Sequence, residues 1–244
     1  MKIAGSSASF ARRFADGSLT QLEWLDACAR SMGLDGVAFD AADFPRTDGE
    51  YVAQLKKLAV DLGLTVAALA CDEIFSARDD DEGRAALERA LELAVGLGAP
   101  LAIVRTPAAD GTPAAWNDLV AAAKRALRSA KARNITLAVR NTADTLCASA
   151  ADCKRLAKDV DSAWLRFAPD ARSLAGAESE SFASSAVAFT LGLADDADED
   201  ARLVAAVGGF RPFLICDGPL EGSPDPGARY RSLFEDLFRR RVKT

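Results

Sequence analysis

The chain of 244 residues predicts a single α/β domain, residues 1–244, folded as a closed (β/α)8 barrel. Three observations predict it. Eight short apolar stretches recur along the chain, each followed by a helical or helix-length segment, and no linker or shift in composition divides them. Their side chains alternate between bulky and small, as in a parallel sheet with one face under helices. The rival is an open doubly wound sheet, but its G-x-G-x-x-G fingerprint is missing after the first strand, where Gly5-Ser-Ser-Ala-Ser9 stands instead.

The elements follow in order. Lys2–Ala8 reads as a strand ending in small residues. Leu22, Leu25, Cys28, Ala29 and Met32 form a helical stripe, opened by a capping box Ser18-x-x-Gln21 and closed by Gly33. Gly36-Val-Ala-Phe-Asp40 is the second strand, with Val37 and Phe39 toward helices and Ala38 and Asp40 on the opposite face. Val52, Leu55, Leu58, Ala59 and Leu62 stripe the next helix to its stop at Gly63, and Thr65–Cys71 is the third strand. Leu87, Ala90, Leu91, Ala94 and Leu97 lead through Gly98-Ala99-Pro100 to the fourth strand, Leu101–Arg105. The longest stripe, Trp116 to Ala130, ends at Asn134 before the fifth strand, Ile135–Asn141. A helix within Ala148–Val160 precedes the sixth strand, Trp164–Ala168. The segment Gly176–Ser185 has little periodicity, and Val187–Leu193 is the seventh strand. A weak stripe of Ala201, Val204, Ala205 and Gly208 leads to the eighth, Pro212–Cys216. Tyr230, Leu233, Phe234, Leu237 and Phe238 make a strongly amphipathic final helix.

Composition narrows the function. Half the residues are hydrophobic, enough for a buried core, and the net charge of -6 opposes a nucleic-acid or anionic-membrane surface. The Arg239–Lys243 run is the one dense basic patch and reads as a solvated helix end. Five widely spaced cysteines without a C-x-x-C pair, no signal peptide and no apolar run long enough to span a bilayer point to reduced, buried thiols in a cytoplasmic protein. There is no histidine, which removes Ser-His-Asp and Cys-His catalysis and every imidazole zinc site.

In a barrel the small-residue faces point inward and strand carboxyl ends form the mouth, where ligands bind. In the fifth strand Ile135, Leu137 and Val139 face outward, so Thr136, Ala138 and Arg140 face inward. Asp40, Arg166 and Asp170 share that inward parity. Arg105 and Cys216-Asp217 end the fourth and eighth strands, where parity is ambiguous; Asp72-Glu73 and Asp195-Asp196 end the third and seventh. Such charges either pair with one another, because a lone buried charge is costly, or hold a ligand: the guanidinium forks of Arg140 and Arg105 match a carboxylate or phosphate.

The joints Met32-Gly-Leu-Asp-Gly-Val-Ala-Phe39 and Leu62-Gly-Leu-Thr-Val-Ala67, the strand Thr136-Leu-Ala-Val-Arg-Asn141 and the last strand Phe213-Leu-Ile-Cys-Asp-Gly218 resemble the xylose-isomerase-like TIM-barrel superfamily. The resemblance spans nearly the whole chain. It implies a sugar or sugar-phosphate isomerase or epimerase, with apurinic endonucleases as more distant kin. It also implies a divalent metal such as manganese or zinc, held by a Glu ending strand five, an Asp ending strand six, a His near strand seven and a Glu ending strand eight. Here Arg140 stands at the first of those positions and Asp170 matches the second. Gly192 or a neighbour stands at the third, and Cys216 or Asp217 at the fourth. The second-strand Glu of a G-V-E-L motif is Ala38.

Three readings follow. In the first, the family's metal site is largely lost, no cofactor is bound, and Arg140, Arg105, Asn141 and Arg166 hold a small polar or anionic carbohydrate-type metabolite. In the second, isomerase or epimerase chemistry survives without metal, with Asp40, Asp170 or Asp217 as base and Arg140 polarising a carbonyl. In the third, the chain is an inactive binding or assembly subunit using the final helix or residues 176–185. A cluster of Asp72, Glu73, Asp195 and Asp196 is the alternative place for a metal. Neither nucleic acid nor membrane is expected as a partner, and a homodimer is compatible with the chain.

Overall fold

In the computed structural model, residues 2–75, 80–110, 112–171, 185–193, 213–218, 228 and 230 are described. Eight parallel strands form one sheet: β1 (Lys2–Ser6), β2 (Gly36–Asp40), β3 (Thr65–Ala70), β4 (Leu101–Val104), β5 (Thr136–Val139), β6 (Leu165–Phe167), β7 (Ala188–Gly192) and β8 (Phe213–Asp217). The ladder runs β6-β5-β4-β3-β2-β1-β8-β7. Its two ends meet through isolated parallel bridges, Phe167 with Ala186 and Asp170 with Thr190. There Val187 N–H donates to the Phe167 carbonyl and Thr190 N–H to the Pro169 carbonyl, both at 2.9 Å. The barrel therefore closes, with a seam between β6 and β7 made of isolated bridges and not a continuous ladder.

Six α-helices stand among the described residues: α1 (Ala11–Ala15), α2 (Gln21–Arg30), α3 (Gly49–Asp61), α4 (Asp81–Leu97), α5 (Pro113–Ala132) and α6 (Ala150–Val160). Three 3-10 turns, Ser7–Phe10, Ala41–Asp43 and Asp72–Phe75, follow β1, β2 and β3 at the mouth. Gly98, in the left-handed region at φ 76°, ends α4. Asn134 takes φ 57° after α5, which its short polar side chain tolerates.

The bulky/small alternation sorts the core into two layers. Inside the barrel lie Ala4, Ala38, Ala68, Ile103, Ala138, Ala168, Ala188 and Ile215. Between sheet and helices lie Ile3, Val37, Phe39, Leu137, Val139, Leu165, Phe167, Phe189, Leu191 and Leu214. One irregularity escapes simple alternation. The β2–β3 register shifts between Val37 and Ala38, so Val66 and Ala68 are paired while Ala67 is skipped, and both alanines join the inner layer.

Three expectations are corrected. The capping box of α2 is Thr20 with Glu23, not Ser18 with Gln21: the Thr20 hydroxyl accepts from Glu23 N–H, and the Glu23 carboxylate accepts from Thr20 N–H at 2.8 Å. Gln21 is instead buried, accepting a hydrogen bond from the Tyr51 hydroxyl at 2.9 Å. Most strands are a residue or more shorter than their apolar runs, because the residues at their ends turn into loops that carry the mouth charges. Residues 11–15, with no apolar stripe to announce them, form the short helix α1.

Of the final helix only Ala228 and Tyr230 are described, both helical. Tyr230 is fully buried, and its hydroxyl donates to the Cys216 carbonyl at 3.4 Å. All five cysteines are buried free thiols. Among the described residues no helix is long and apolar enough to cross a membrane. Residues 176–184, the 201–208 stripe, Asp195-Asp196, Leu233 to Phe238 and the basic 239–243 run lie outside the described residues.

Candidate functional site

The strand ladder carries charge to one end of the barrel. Ala138 is in the inner layer and Val139 in the outer, so Arg140, the next residue, points back over the barrel axis. Ile215 is inner and Cys216 outer, which resolves the ambiguity at strand eight: Asp217 faces inward. On β4, Ile103 is inner and Val104 outer, so Arg105 has inward parity. Asp170 pairs with Thr190 across the β6–β7 seam.

These placements converge on Arg140. Its Nη1 donates to Asp217 Oδ2 at 2.6 Å and its Nη2 to Asp170 Oδ2 at 3.0 Å. The three side chains retain only 25%, 20% and 20% exposure for Arg140, Asp170 and Asp217. Burial alone would release the Arg140 proton more readily. The Asp217 charge and hydrogen bond, with those of Asp170, outweigh it and hold the guanidinium more firmly protonated than usual. One cation thus links two carboxylates, and the inward charges at this side of the mouth pair with one another.

Asn141 braces the arrangement from behind. It is 4% exposed; its side-chain carbonyl accepts from Asp170 N–H at 2.9 Å and its amide donates to the Ala148 carbonyl at 3.5 Å. The residue fixes the chain leaving β6 and so aims the Asp170 carboxylate.

On the opposite side of the mouth, Arg105 Nε donates to Asp72 Oδ2 at 2.7 Å, a half-exposed pair. Asp40 stands next to it at the end of β2, its Oδ1 accepting from Ala42 N–H at 2.9 Å. Burial pushes its carboxyl above the ordinary value, and the charges of Asp72 and Asp217 push the same way, against the Ala42 hydrogen bond and the Arg105 charge. Asp43 is raised too, first by burial and then by Asp40, while a hydrogen bond from Ser7 opposes.

Arg166 lies deeper, beside Ala138 in the β5–β6 register, and donates to the Leu165 carbonyl at 3.1 Å. It is the one candidate set apart from the charges at the mouth. Asp195 and Asp196 lie outside the described residues, as does the Glu73 side chain, so of that proposed cluster only Asp72 is placed, against Arg105.

Three mouth residues escaped the sequence. Fully buried Ser7 accepts from Asp40 N–H at 2.8 Å and donates to Asp43 Oδ2 at 2.5 Å. Neither Ser7 nor Asp43 has a strand parity, because both sit in 3-10 turns. Thr190 is 2% exposed and its hydroxyl has no hydrogen-bond partner. Its neighbours Phe189 and Leu191 are in the outer layer, so Thr190 faces the barrel interior; the alternation of Val187–Leu193 could have shown this.

These residues do not fit a divalent cation. Asp170 and Asp217, at positions where the resemblance implies metal ligands, both contact the Arg140 guanidinium, whose charge repels a cation beside them. Among the described residues no group of three or more cysteine or acidic side chains is arranged to hold a metal. A groove beside α5, lined by Pro107, Thr112, Asp118 and Leu146, contains none of the mouth charges.

Comparison with known proteins places the fold. No curated protein matches the sequence. Among solved structures, the probable 3-DHS dehydratase AsbF of Bacillus anthracis superposes with a TM-score of 0.78 at 11% identity, covering 96% of this chain and 99% of that one. A D-psicose 3-epimerase from Clostridium cellulolyticum H10 gives 0.74 at 14%, covering 99% of each. The 3-keto-D-glucoside 4-epimerase YcjR of E. coli gives 0.68 at 14%, covering 98% and 99%. At these identities the likeness is one of fold. The sequence model of the xylose isomerase-like TIM barrel matches residues 26–206, and the chain belongs to that family.

Proposed function

We propose that the chain is a divergent sugar isomerase- or epimerase-like barrel that binds a small polar metabolite of carbohydrate type at its carboxyl-end mouth, without the family's divalent cation. The observation that carries this reading is Arg140 spanning Asp170 and Asp217. A cation bound among carboxylates serves to polarise an oxygen, and a fixed guanidinium can do the same by hydrogen bonding. Arg140 then orients a substrate carbonyl or hydroxyl. Asp40, whose raised carboxyl exchanges its proton nearer neutrality, is the base. Asn141 positions Asp170 and does not itself touch the ligand. Arg105, half exposed, meets the ligand at the rim.

A second reading, an inactive binding or assembly subunit of the same fold, draws on one specific fact. Asp170 and Asp217 are both tied to Arg140 by hydrogen bonds and so already serve a structural contact. Turnover with an Asp40→Asn variant separates the two readings: loss of proton exchange supports catalysis, and absence of exchange in the parent protein supports a binding role.

The test is a thermal-shift screen of sugars, sugar phosphates, sugar acids and divalent metals, since a ligand that binds only the folded state must stabilise it. The reading expects a polyhydroxylated compound to raise Tm and the effect to disappear in Arg140→Ala. Stabilisation by micromolar manganese or zinc, abolished by Asp170→Asn, would overturn the metal-free reading.

A further inference from the structure

Among the described residues the mouth carries more acids than bases. Both described guanidiniums at its rim are already matched, Arg140 by two carboxylates and Arg105 by one. Asp40 and Asp43 have no guanidinium of their own: Asp40 accepts from Ala42 N–H and Asp43 from the Ser7 hydroxyl. Five described carboxylates therefore face two arginines. Asp40 senses both Asp72 and Asp217 as like charges, so the excess is felt across the mouth and not only at one wall. An incoming phosphate or carboxylate would have to break an existing ion pair while repelled by the remaining acids.

An independent feature marks the same space as a ligand site. The Thr190 hydroxyl, on the inner face and level with Asp170 across the seam, is almost wholly buried and unpartnered. A buried hydroxyl without a partner costs stability unless something supplied from outside satisfies it. Two residues further along β7, Gly192 pairs with Asp217, and a Cβ built there would lie 3.7 Å from Asp217 Oδ1. Thr190, Asp170 and Asp217 thus stand close together on the inner side of the β6, β7 and β8 strand ends.

Resting on the carbohydrate-type reading above, we infer that the mouth selects a polyhydroxylated ligand carrying a protonated amine, an amino sugar or amino polyol, with its ammonium received by Asp217 and Asp40 and a hydroxyl by Thr190. The excess acids supply the charge preference, and Arg140 keeps Asp170 and Asp217 apart and oriented. Thr190 is then a specificity residue that contacts the ligand and not part of the packing.

Matched probes test this by calorimetry and thermal shift: glucose, galactose and mannose, each beside its 2-amino form, its N-acetylated amine and its 6-phosphate. Within the pair that binds, the amine is expected to bind about tenfold more tightly than the neutral parent, because charge-assisted hydrogen bonds exceed neutral ones. N-acetylation removes the gain, and raised salt weakens it. Thr190→Val, a near-isosteric change, is expected to weaken amine binding several-fold while leaving Tm unchanged or higher. Equal or tighter binding of the neutral sugar or phosphate overturns the amine preference but leaves the carbohydrate reading standing. No binding by any member of the panel overturns both. Unchanged amine binding in Thr190→Val removes Thr190 from the site.

Discussion

Arg140 and Asp217, 77 residues apart, meet at 2.6 Å across the mouth of the barrel. The contact joins β5 to β8, strands that share no ladder. A guanidinium and a carboxylate this far out of water are worth little as a pair against two apolar side chains, yet losing one partner strands the other.

Arg140→Met is therefore expected to destabilise the fold by about 2–3 kcal/mol, at or below the low end for breaking a buried pair because these side chains keep some exposure. Adding Asp217→Asn to it should recover part of the loss. Urea unfolding of the single and double variants measures both, and additive losses would show that the two residues are not coupled.

Asp40→Asn tests the raised carboxyl. A folded-state value above the unfolded one means the folded chain binds its proton more tightly, so stability falls as pH rises from the ordinary carboxylate value through the raised one. The asparagine side chain keeps the acceptor for Ala42 N–H and removes the charge. The variant should melt higher than the parent at pH 7, with the difference shrinking toward pH 3; a difference independent of pH would contradict the assignment.

Asn141→Ala deletes the acceptor for Asp170 N–H and the donor to Ala148. Leaving these buried groups unpaired should cost about 1–3 kcal/mol in urea unfolding. It should also blunt any ligand-induced Tm shift, whereas a purely local role would leave that shift intact.

Thr20→Ala should cost about 1 kcal/mol as the loss of a helix cap, and Ser18→Ala much less. Paired thermal melts decide which residue opens α2.

That cap shows why sequence reading stops where it does. Two overlapping boxes, Ser18-Leu-Thr-Gln21 and Thr20-Gln-Leu-Glu23, satisfy the same local rule. What separates them is the contact of Gln21 with Tyr51, thirty residues on. The eight strands, the two-layer core and the inward turn of Arg140 were legible because alternation with period two is written into each strand. The skipped Ala67 was not, since Ala67 and Ala68 offer no contrast in side chain by which a register shift could be read. Asp217 could be placed only once Ile215 was seen to face inward, and Ser7 and Asp43 only once the turns after β1 and β2 were known. Arg140 and Asp170 were legible as inward charges, but one guanidinium held between two acids was not, because the sequence does not encode which charges the closed ring brings within reach.

The seam where the ring closes has a mechanical meaning. Its β6 and β7 edges are stitched by two bridges rather than a full ladder, and Arg140 ties the strand before that gap to Asp170 inside it and to Asp217 on the far side. The ionic clasp acts as a buckle over the thinnest part of the hoop. Amide exchange at Val187 and Thr190 should therefore quicken first when the buckle is cut, leaving β2 and β3 as slow as before.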